Sequence, residues 1–162
     1  MRGLLLIAML MLASCAKEPK YFNVESVEVV EVEGDEFPTA ATLDVVTNSS
    51  VGAFTVKDMR LRMGVEGRRQ VVVTLTQKTT FKRGWQIVSI PLKISVAKNS
   101  LTMKLKEALL GHEAEKIEVD GEIKVRRGFA TVREQLEPKP MSEIFTAEQL
   151  EMIWNVVDQN KK

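Results

Sequence analysis

The chain has 162 residues, of which 44% are hydrophobic, 6% are aromatic and 28% are charged. This is the length of one domain, and the apolar fraction is too high for an intrinsically disordered chain. The near balance of 23 Lys and Arg against 22 Asp and Glu excludes the basic excess of a dedicated nucleic-acid-binding protein. With one Cys and one His, the chain can form neither an internal disulfide nor a metal site built from His and Cys.

The N-terminal segment has the features of an export signal. After the basic start Met1-Arg2, Leu4 to Ala13 is an unbroken run of ten apolar residues. A membrane-spanning helix needs about 20 apolar residues, whereas the apolar region of a signal peptide needs only about 7 to 15. The run ends in Leu12-Ala13-Ser14-Cys15, which resembles the lipobox of bacterial lipoproteins.

This resemblance implies that residues 1–14 are a signal peptide, that cleavage precedes Cys15, and that the Cys15 thiol carries diacylglycerol and fatty acids such as palmitate. Residues 15–20 then form a lipidated tether. Several acyl chains on one residue anchor a protein firmly, so the membrane is a predicted partner. The expected location is the bacterial cell envelope, at the periplasmic face or the outer membrane. The competing interpretation is a buried structural Cys15 that follows a short uncleaved anchor.

A period of two in hydrophobicity dominates from Tyr21 to about Leu136, which is typical of half-buried antiparallel strands. Near the start, the apolar positions change parity between Val29 and Val30, and this predicts a β-bulge. Alternating strands bury their apolar faces best as two sheets packed face to face, so we expect a mainly β sandwich. The seven predicted strands span about 22–33, 40–47, 54–65, 69–81, 85–96, 116–126 and 129–136.

One short helix interrupts the predicted strands. Leu101 to Leu110 places leucines at i, i+4 and i+8, the spacing of an amphipathic helix. Asn99 or Ser100 would be its N-cap, and Gly111 its C′ residue. We expect this helix to cover an open end of the sandwich.

A C-terminal extension, residues 138–162, follows the predicted sandwich domain of residues 21–137. Glu137-Pro138-Lys139-Pro140 predicts a stiff connector, because proline disrupts helix and strand interiors. Thr146 to Asp158 predicts an amphipathic helix that begins with a capping box of Thr146 and Gln149. Its apolar stripe either packs on the sandwich of the same chain or docks into a groove of another protein. The candidate partner-binding residues are Leu150, Ile153, Trp154 and Val157.

Three segments of the body resemble the late embryogenesis abundant group-2 family, also called the water-stress and hypersensitive-response domain. They are Val119-Asp120-Gly121-Glu122-Ile123-Lys124-Val125, Ser89-Ile90-Pro91-Leu92-Lys93-Ile94 before a Leu-rich helix, and Leu43-Asp44-Val45-Val46-Thr47-Asn48. The resemblance covers about Val27 to Leu136 and departs from the family at Ser49, where a Pro is usual. It implies an immunoglobulin-like or fibronectin III-like sandwich of two antiparallel sheets with one helix. It also implies a non-catalytic, stress-linked or protein-stabilising role.

Candidate catalytic residues are few, and we predict no enzyme, no cofactor and no metal. His112 would need a nucleophile within reach, and none of the serines has a nucleophile motif around it. We therefore expect His112 to be a solvated loop residue near the end of the first helix. The carboxylates that alternate with Val along the first strand are interpreted as a solvated face; they are Glu25, Glu28, Glu31 and Glu33.

A basic cluster lies on the outward face and loop of a predicted hairpin. It is a candidate site for lipid head groups or an anionic glycan, with surface solubility as the alternative. Its members are Arg60, Arg62, Arg68 and Arg69.

Three functional hypotheses follow. The leading one is a lipid-anchored, non-enzymatic envelope protein whose sandwich binds or stabilises another macromolecule, for which a protein partner is expected. The second is a structural subunit of an envelope complex that docks through the C-terminal helix. The third is an envelope hydrolase that uses paired carboxylates, and only the abundance of those residues supports it.

Overall fold

A computed structural model describes residues 22–34, 39–50 and 52–159 of the chain. Cys15, the predicted signal peptide and the predicted tether lie outside these residues. The strands are β1 Phe22–Glu33, β2 Ala40–Ser49, β3 Phe54–Gly64, β4 Val71–Leu75, β5 Thr79–Phe81, β6 Gly84–Val96, β7 Glu118–Arg127 and β8 Ala130–Pro140. The helices are α1 Ser100–Leu110, α2 Met141–Ile144 and α3 Ala147–Gln159, with a 3₁₀ turn at Ala114–Lys116.

The described strands are antiparallel and hydrogen-bonded in the order β1-β2-β6-β4-β3-β7-β8, with β5 paired to β3. The order divides into two halves, one with β1 and β2 and the other with β4, β5, β3, β7 and β8. β6 joins them, because it pairs with β2 along most of its length and with β4 near its end. Apolar side chains from both halves form one core, as in a β-sandwich. The predicted mainly β sandwich is confirmed.

The core draws on strands and helices alike. Along β2 the side chains alternate between buried and half-buried, which is the period that the sequence shows. Alternation of this kind turns one face of each strand inward and leaves the other for solvent. The largest fully buried side chains are Leu43, Met59, Ile90, Leu92, Leu105, Ile117 and Met141.

β1 contains the predicted bulge. Val29 lies opposite Leu43 and Glu31 lies opposite Thr42, so Val30 is an extra residue in the ladder. The parity change in the sequence is therefore confirmed as a β-bulge. A second register shift occurs between Val24 and Ser26.

The single strand predicted over residues 69–81 is two strands. β4 ends at Leu75 and pairs with β6, whereas β5 begins at Thr79 and pairs with the start of β3. At the break, the Thr76 backbone N–H and hydroxyl both donate to the Pro91 carbonyl. β4 pairs with both β6 and β3, whereas β5 pairs with β3, so the pairing with β6 ends at this break and divides the predicted strand in two.

β8 continues through the segment predicted as a connector. Lys139 lies opposite Val119 and Pro140 lies opposite Glu118. Proline fits here for two reasons: β8 is the last strand of the sheet, and the ladder shifts register between Val119 and Gly121. A proline on an edge strand or at a bulge removes no ladder hydrogen bond, so the expected connector at 137–140 is replaced by strand.

α1 begins as one of the two predicted alternatives. The Asn99 side chain accepts hydrogen bonds from the backbone N–H groups of Leu101 (3.0 Å) and Thr102 (3.2 Å). Asn99 is therefore the N-cap, and Ser100 is the first helical residue.

The end of α1 differs from the prediction by one residue. The His112 N–H donates to the Leu109 carbonyl and the Glu113 N–H donates to the Ala108 carbonyl, which is a Schellman motif. Gly111 is the C-cap with φ −88°, and His112 is the C′ residue with φ 55°. The prediction of Gly111 as C′ was wrong, because the left-handed position that favours glycine falls one residue later, on His112.

The sandwich has two distinct ends. Phe22 lies opposite Ser49, and Ser49 lies opposite Gly84. In the other half, Thr55 lies opposite Arg126. The start of β1 and the β2–β3, β5–β6 and β7–β8 connections therefore share one end, which we call the entry end. β6 and β8 finish at the opposite end, where α1 and α2 follow them, and we call this the helix end.

Candidate functional site

The C-terminal helix packs on its own sandwich. Ile153 is fully buried, Val157 is buried, and Leu150 and Trp154 pack partly buried against the same core. The predicted capping box begins the helix: the Gln149 N–H donates to Thr146 Oγ1, and the Thr146 N–H donates to Gln149 Oε1. The apolar stripe was predicted either to pack on the sandwich of its own chain or to dock into another protein. The structure supports the first alternative.

Partner binding by the stripe is consequently not supported. A groove on another protein would have to receive side chains that already fill the core of this chain. α2 strengthens the attachment, since Met141 and Phe145 are buried and the Met141 N–H donates to the Ile117 carbonyl at 2.8 Å. The residues Leu150, Ile153, Trp154 and Val157 are better described as an internal contact.

His112 joins α3 to the end of α1. Its ring stacks on the Trp154 indole with centroids 4.8 Å apart and planes inclined by 7°. Its Nε2 lies 2.9 Å from Asp158 Oδ1. His112 is therefore more than the solvated loop residue that we expected, because both of its partners lie on α3.

The predicted basic cluster is divided by Asp120. Arg62 Nε donates to Asp120 Oδ1 at 2.5 Å, and Arg69 Nε donates to Asp120 Oδ2 at 2.8 Å. Arg69 also contacts Glu118 Oε2 at 3.3 Å. The Asp120 side chain is only 7% exposed, so two arginines neutralise a nearly buried carboxylate.

An anionic ligand would have to displace Asp120 to use either of these arginines. Arg60 and Arg68 remain exposed. Arg68 follows the turn after β3, at the helix end, far along the strand from where β1 begins. The four arginines Arg60, Arg62, Arg68 and Arg69 therefore do not form one continuous basic site.

The carboxylates of β1 lie on an exposed strand. Glu28 is opposite Asp44, and Glu31 is opposite Thr42, on the outer face of β2. Asp44 Oδ1 accepts a hydrogen bond from Ser89 Oγ at 2.6 Å. Within the described ranges, no group of three or more His, Cys, Asp and Glu residues is arranged to hold a metal ion.

The sequence patterns did not predict the exposed apolar side chains at the entry end. Trp85 is 67% exposed and Ile87 is 70% exposed on the outer face of β6, where they lie opposite Asn48 and Val46. Phe129, in the β7–β8 turn, is fully exposed. The available signal was that Trp85 and Ile87 share the parity of Ser89 and Lys93 on the polar face of the strand.

Basic side chains accompany these apolar residues. Lys78, on the approach to β5, lowers the pKa of the Lys57 amine below its ordinary value, with smaller contributions from burial, Lys124 and Arg126. Lys124 also lies directly opposite Arg133 on β8. On its other side, Lys124 lies opposite Asp58 of β3. Like charges on one face of a sheet repel and opposite charges attract, so the positive character of this end depends on its basic residues outnumbering its acidic ones.

Comparison with known proteins adds little to this geometry. No family model and no curated protein matches the chain. Eleven chains of solved structures match it, and one is a crystal structure of a protein from Archaeoglobus fulgidus, with a TM-score of 0.43 and 13% sequence identity. That match covers 72% of this chain and 94% of the other. A likeness this weak does not bear on function.

None of the described helices is long and apolar enough to cross a bilayer.

Proposed function

We propose that this chain is a lipid-anchored, non-enzymatic protein of the bacterial cell envelope, whose sandwich binds or stabilises another macromolecule. The observation that carries the proposal is the sequence Leu12-Ala13-Ser14-Cys15 after an apolar run of signal-peptide length. The chain has one cysteine, and it is placed where a lipoprotein needs it.

A non-enzymatic role is supported by the structural contacts that the reactive side chains already make. His112 is engaged by Trp154 and Asp158, and Asp120 is engaged by two arginines. Ser89 donates to Asp44 and not to an imidazole. Each of these groups has a structural partner, so a hydrolase that relied on them would first have to disrupt a packing contact.

The second hypothesis, a structural subunit that docks through its C-terminal helix, loses its docking surface. The apolar stripe of α3 fills the core of its own chain. A subunit role would need a different face of the protein from the stripe of Leu150, Ile153, Trp154 and Val157.

The anchor is tested by metabolic labelling with a fatty acid. We expect the full-length protein to incorporate label and to sediment with membranes, and Cys15→Ser to abolish both. Ser14→Ala is the matched control, because it keeps a small residue before the cysteine and should leave labelling intact. Labelling and membrane retention of Cys15→Ser at the level of the unaltered protein would refute the lipid anchor.

Client binding is tested by photo-crosslinking in cells. Trp154 is a poor position for the photoreactive residue because it stacks on His112. Met103, which is 48% exposed on α1 at the helix end, and Glu31, on the outer face beside β2, are better positions. We expect a discrete adduct from at least one of them. If both positions yield only the uncrosslinked chain, under osmotic stress as well, the binding role is refuted.

A further inference from the structure

The chain enters the sandwich at the entry end. β1 begins there at Phe22, and residues 16–21 separate Phe22 from Cys15. A chain of this length extends to at most about 25 Å. A lipid on Cys15 therefore keeps the entry end within about 25 Å of the bilayer that holds it. The inference below rests on the lipid anchor proposed above.

Apolar surface is exposed at this same end. Trp85 and Ile87 project from β6 within four residues of its first residue, and Phe129 is at the tip of the β7–β8 turn. An exposed Trp or Phe is unfavourable in water, whereas aromatic side chains are enriched at the level of lipid head groups. Among the described residues, each half of the sandwich contributes one exposed aromatic side chain to this end.

The charge of the entry end is positive although the whole chain is nearly neutral. The stretches 22–26, 46–50, 52–58, 78–88 and 124–134 contain eight Lys and Arg and three Asp and Glu. The basic residues are Lys57, Lys78, Lys82, Arg83, Lys124, Arg126, Arg127 and Arg133, and the acidic residues are Glu25, Asp58 and Glu134. The lowered pKa of Lys57 agrees with this excess of positive charge.

The helix end has the opposite character. The stretches 64–70, 98–120 and 137–159 contain seven Lys and Arg and eleven Asp and Glu. The excess comes from residues 141–159, which include α2 and α3 and contain four acidic residues and no Lys or Arg. A molecule that is positive at one end and negative at the other is oriented by the negative potential of an anionic bilayer.

From these observations we propose that the entry end is a membrane-contact surface, which lies on anionic phospholipids with Trp85 and Phe129 among the head groups. The sandwich then stands on the bilayer, and its helix end points away from it. The surface is separate from the arginines Arg62 and Arg69, which Asp120 holds at the other end of β3 and β7.

The two tryptophans of the chain give a direct test because they lie at opposite ends. Trp154→Phe leaves Trp85 as the only tryptophan, and Trp85→Phe leaves Trp154. The lipidated variants are reconstituted into phosphatidylcholine vesicles with or without phosphatidylglycerol, and brominated lipids serve as the fluorescence quencher. We expect the emission of Trp85 to be quenched at least about threefold more strongly than that of Trp154 on anionic vesicles.

Charge and aromatic variants test the surface without removing a tryptophan. In the Trp154→Phe background, Lys124→Glu with Arg126→Glu should lower Trp85 quenching and its sensitivity to salt, and Phe129→Ser should lower quenching in both lipid mixtures. The matched control is Arg68→Glu, which changes the charge by the same sign at the helix end and should leave quenching unchanged.

Three outcomes would overturn the proposal. Equal quenching of both tryptophans would mean that the chain has no fixed orientation. Unquenched Trp85 in a lipidated protein that remains on the vesicles would mean that the entry end does not touch the bilayer. A change in Trp85 emission with a soluble anionic polysaccharide, but not with vesicles, would assign the surface to a glycan. Failure of the lipid anchor is recognised separately, by loss of labelling and membrane retention in the unaltered protein.

Discussion

The His112 imidazole lies nearly parallel to the Trp154 indole, at a centroid distance of 4.8 Å. The stack joins the C′ residue of the α1 Schellman motif to the middle of α3, across more than 40 positions of sequence. His112 makes this contact from a left-handed backbone with a φ of 55°. Stacked rings of this kind contribute about 0.5 to 1.5 kcal/mol beyond the area that they bury.

We expect His112→Ala to lower the free energy of unfolding by about 1 to 2 kcal/mol, since it removes the stack and the Asp158 contact. Urea denaturation measures this change. His112→Gly removes the same ring but accepts the positive φ, so it should be about 0.5 to 1 kcal/mol more stable than His112→Ala. If His112→Ala unfolds at the same urea concentration as the unaltered protein, the contact has no role in holding α3.

Asp120→Asn should destabilise the fold by about 1 to 3 kcal/mol, because the neutral amide cannot neutralise both Arg62 and Arg69 at a site that is 7% exposed. Glu66→Gln is the control. Its partner Lys104 is 2.9 Å away, and both side chains are more than half exposed, so the expected loss is under about 0.5 kcal/mol. Equal losses in the two variants would show that the arginines do not depend on Asp120.

Gly64→Ala should destabilise the protein by about 3 kcal/mol or more, because a Cβ at this position would lie 1.8 Å from the Arg68 backbone carbonyl oxygen. That oxygen is backbone and cannot rotate away. Gly52→Ala is the matched control, since nothing lies within 4 Å of its Cβ, and it should change stability by less than about 0.5 kcal/mol. Thermal unfolding separates the two, and a tolerated Gly64→Ala would contradict the packing of the β3–β4 turn.

Thr47→Val should raise the free energy of unfolding by about 1 kcal/mol. Thr47 is fully buried on β2, and its hydroxyl has no hydrogen-bond partner in the described part of the chain. Replacing the hydroxyl by a methyl group removes the cost of burying an unsatisfied polar atom. Thr102→Val is the opposite case, since the buried Thr102 hydroxyl donates to the Ala97 carbonyl, and it should lose about 1 kcal/mol. Stabilisation by both substitutions, or by neither, would contradict this account.

Features that depend on local spacing could be predicted from the sequence. The parity change at Val30 predicted the bulge, and Thr146 with Gln149 predicted the start of α3. Both are properties of a few neighbouring residues. The mainly β fold follows for the same reason, because alternation along each strand is visible before any strand is paired.

Features that depend on distant partners could not be predicted. The segment Pro138-Lys139-Pro140 was expected not to form a strand. Proline is excluded from the interior strands of a sheet but is tolerated on an edge strand, and only the order of the strands shows that β8 is an edge. His112 was expected to be solvated, and Arg69 was expected to belong to an exposed basic cluster. Their partners Trp154 and Asp120 lie more than 40 residues away along the chain.

Both edges of the sheet carry features that discourage a further strand. At β1 the ladder slips twice, and acidic side chains alternate along it; at β8 two prolines interrupt the row of N–H donors. Proteins held on a two-dimensional surface collide far more often than the same number of molecules free in a volume. If the chain is anchored to a bilayer as proposed above, edges that resist strand addition would let it be crowded there without growing into fibrils.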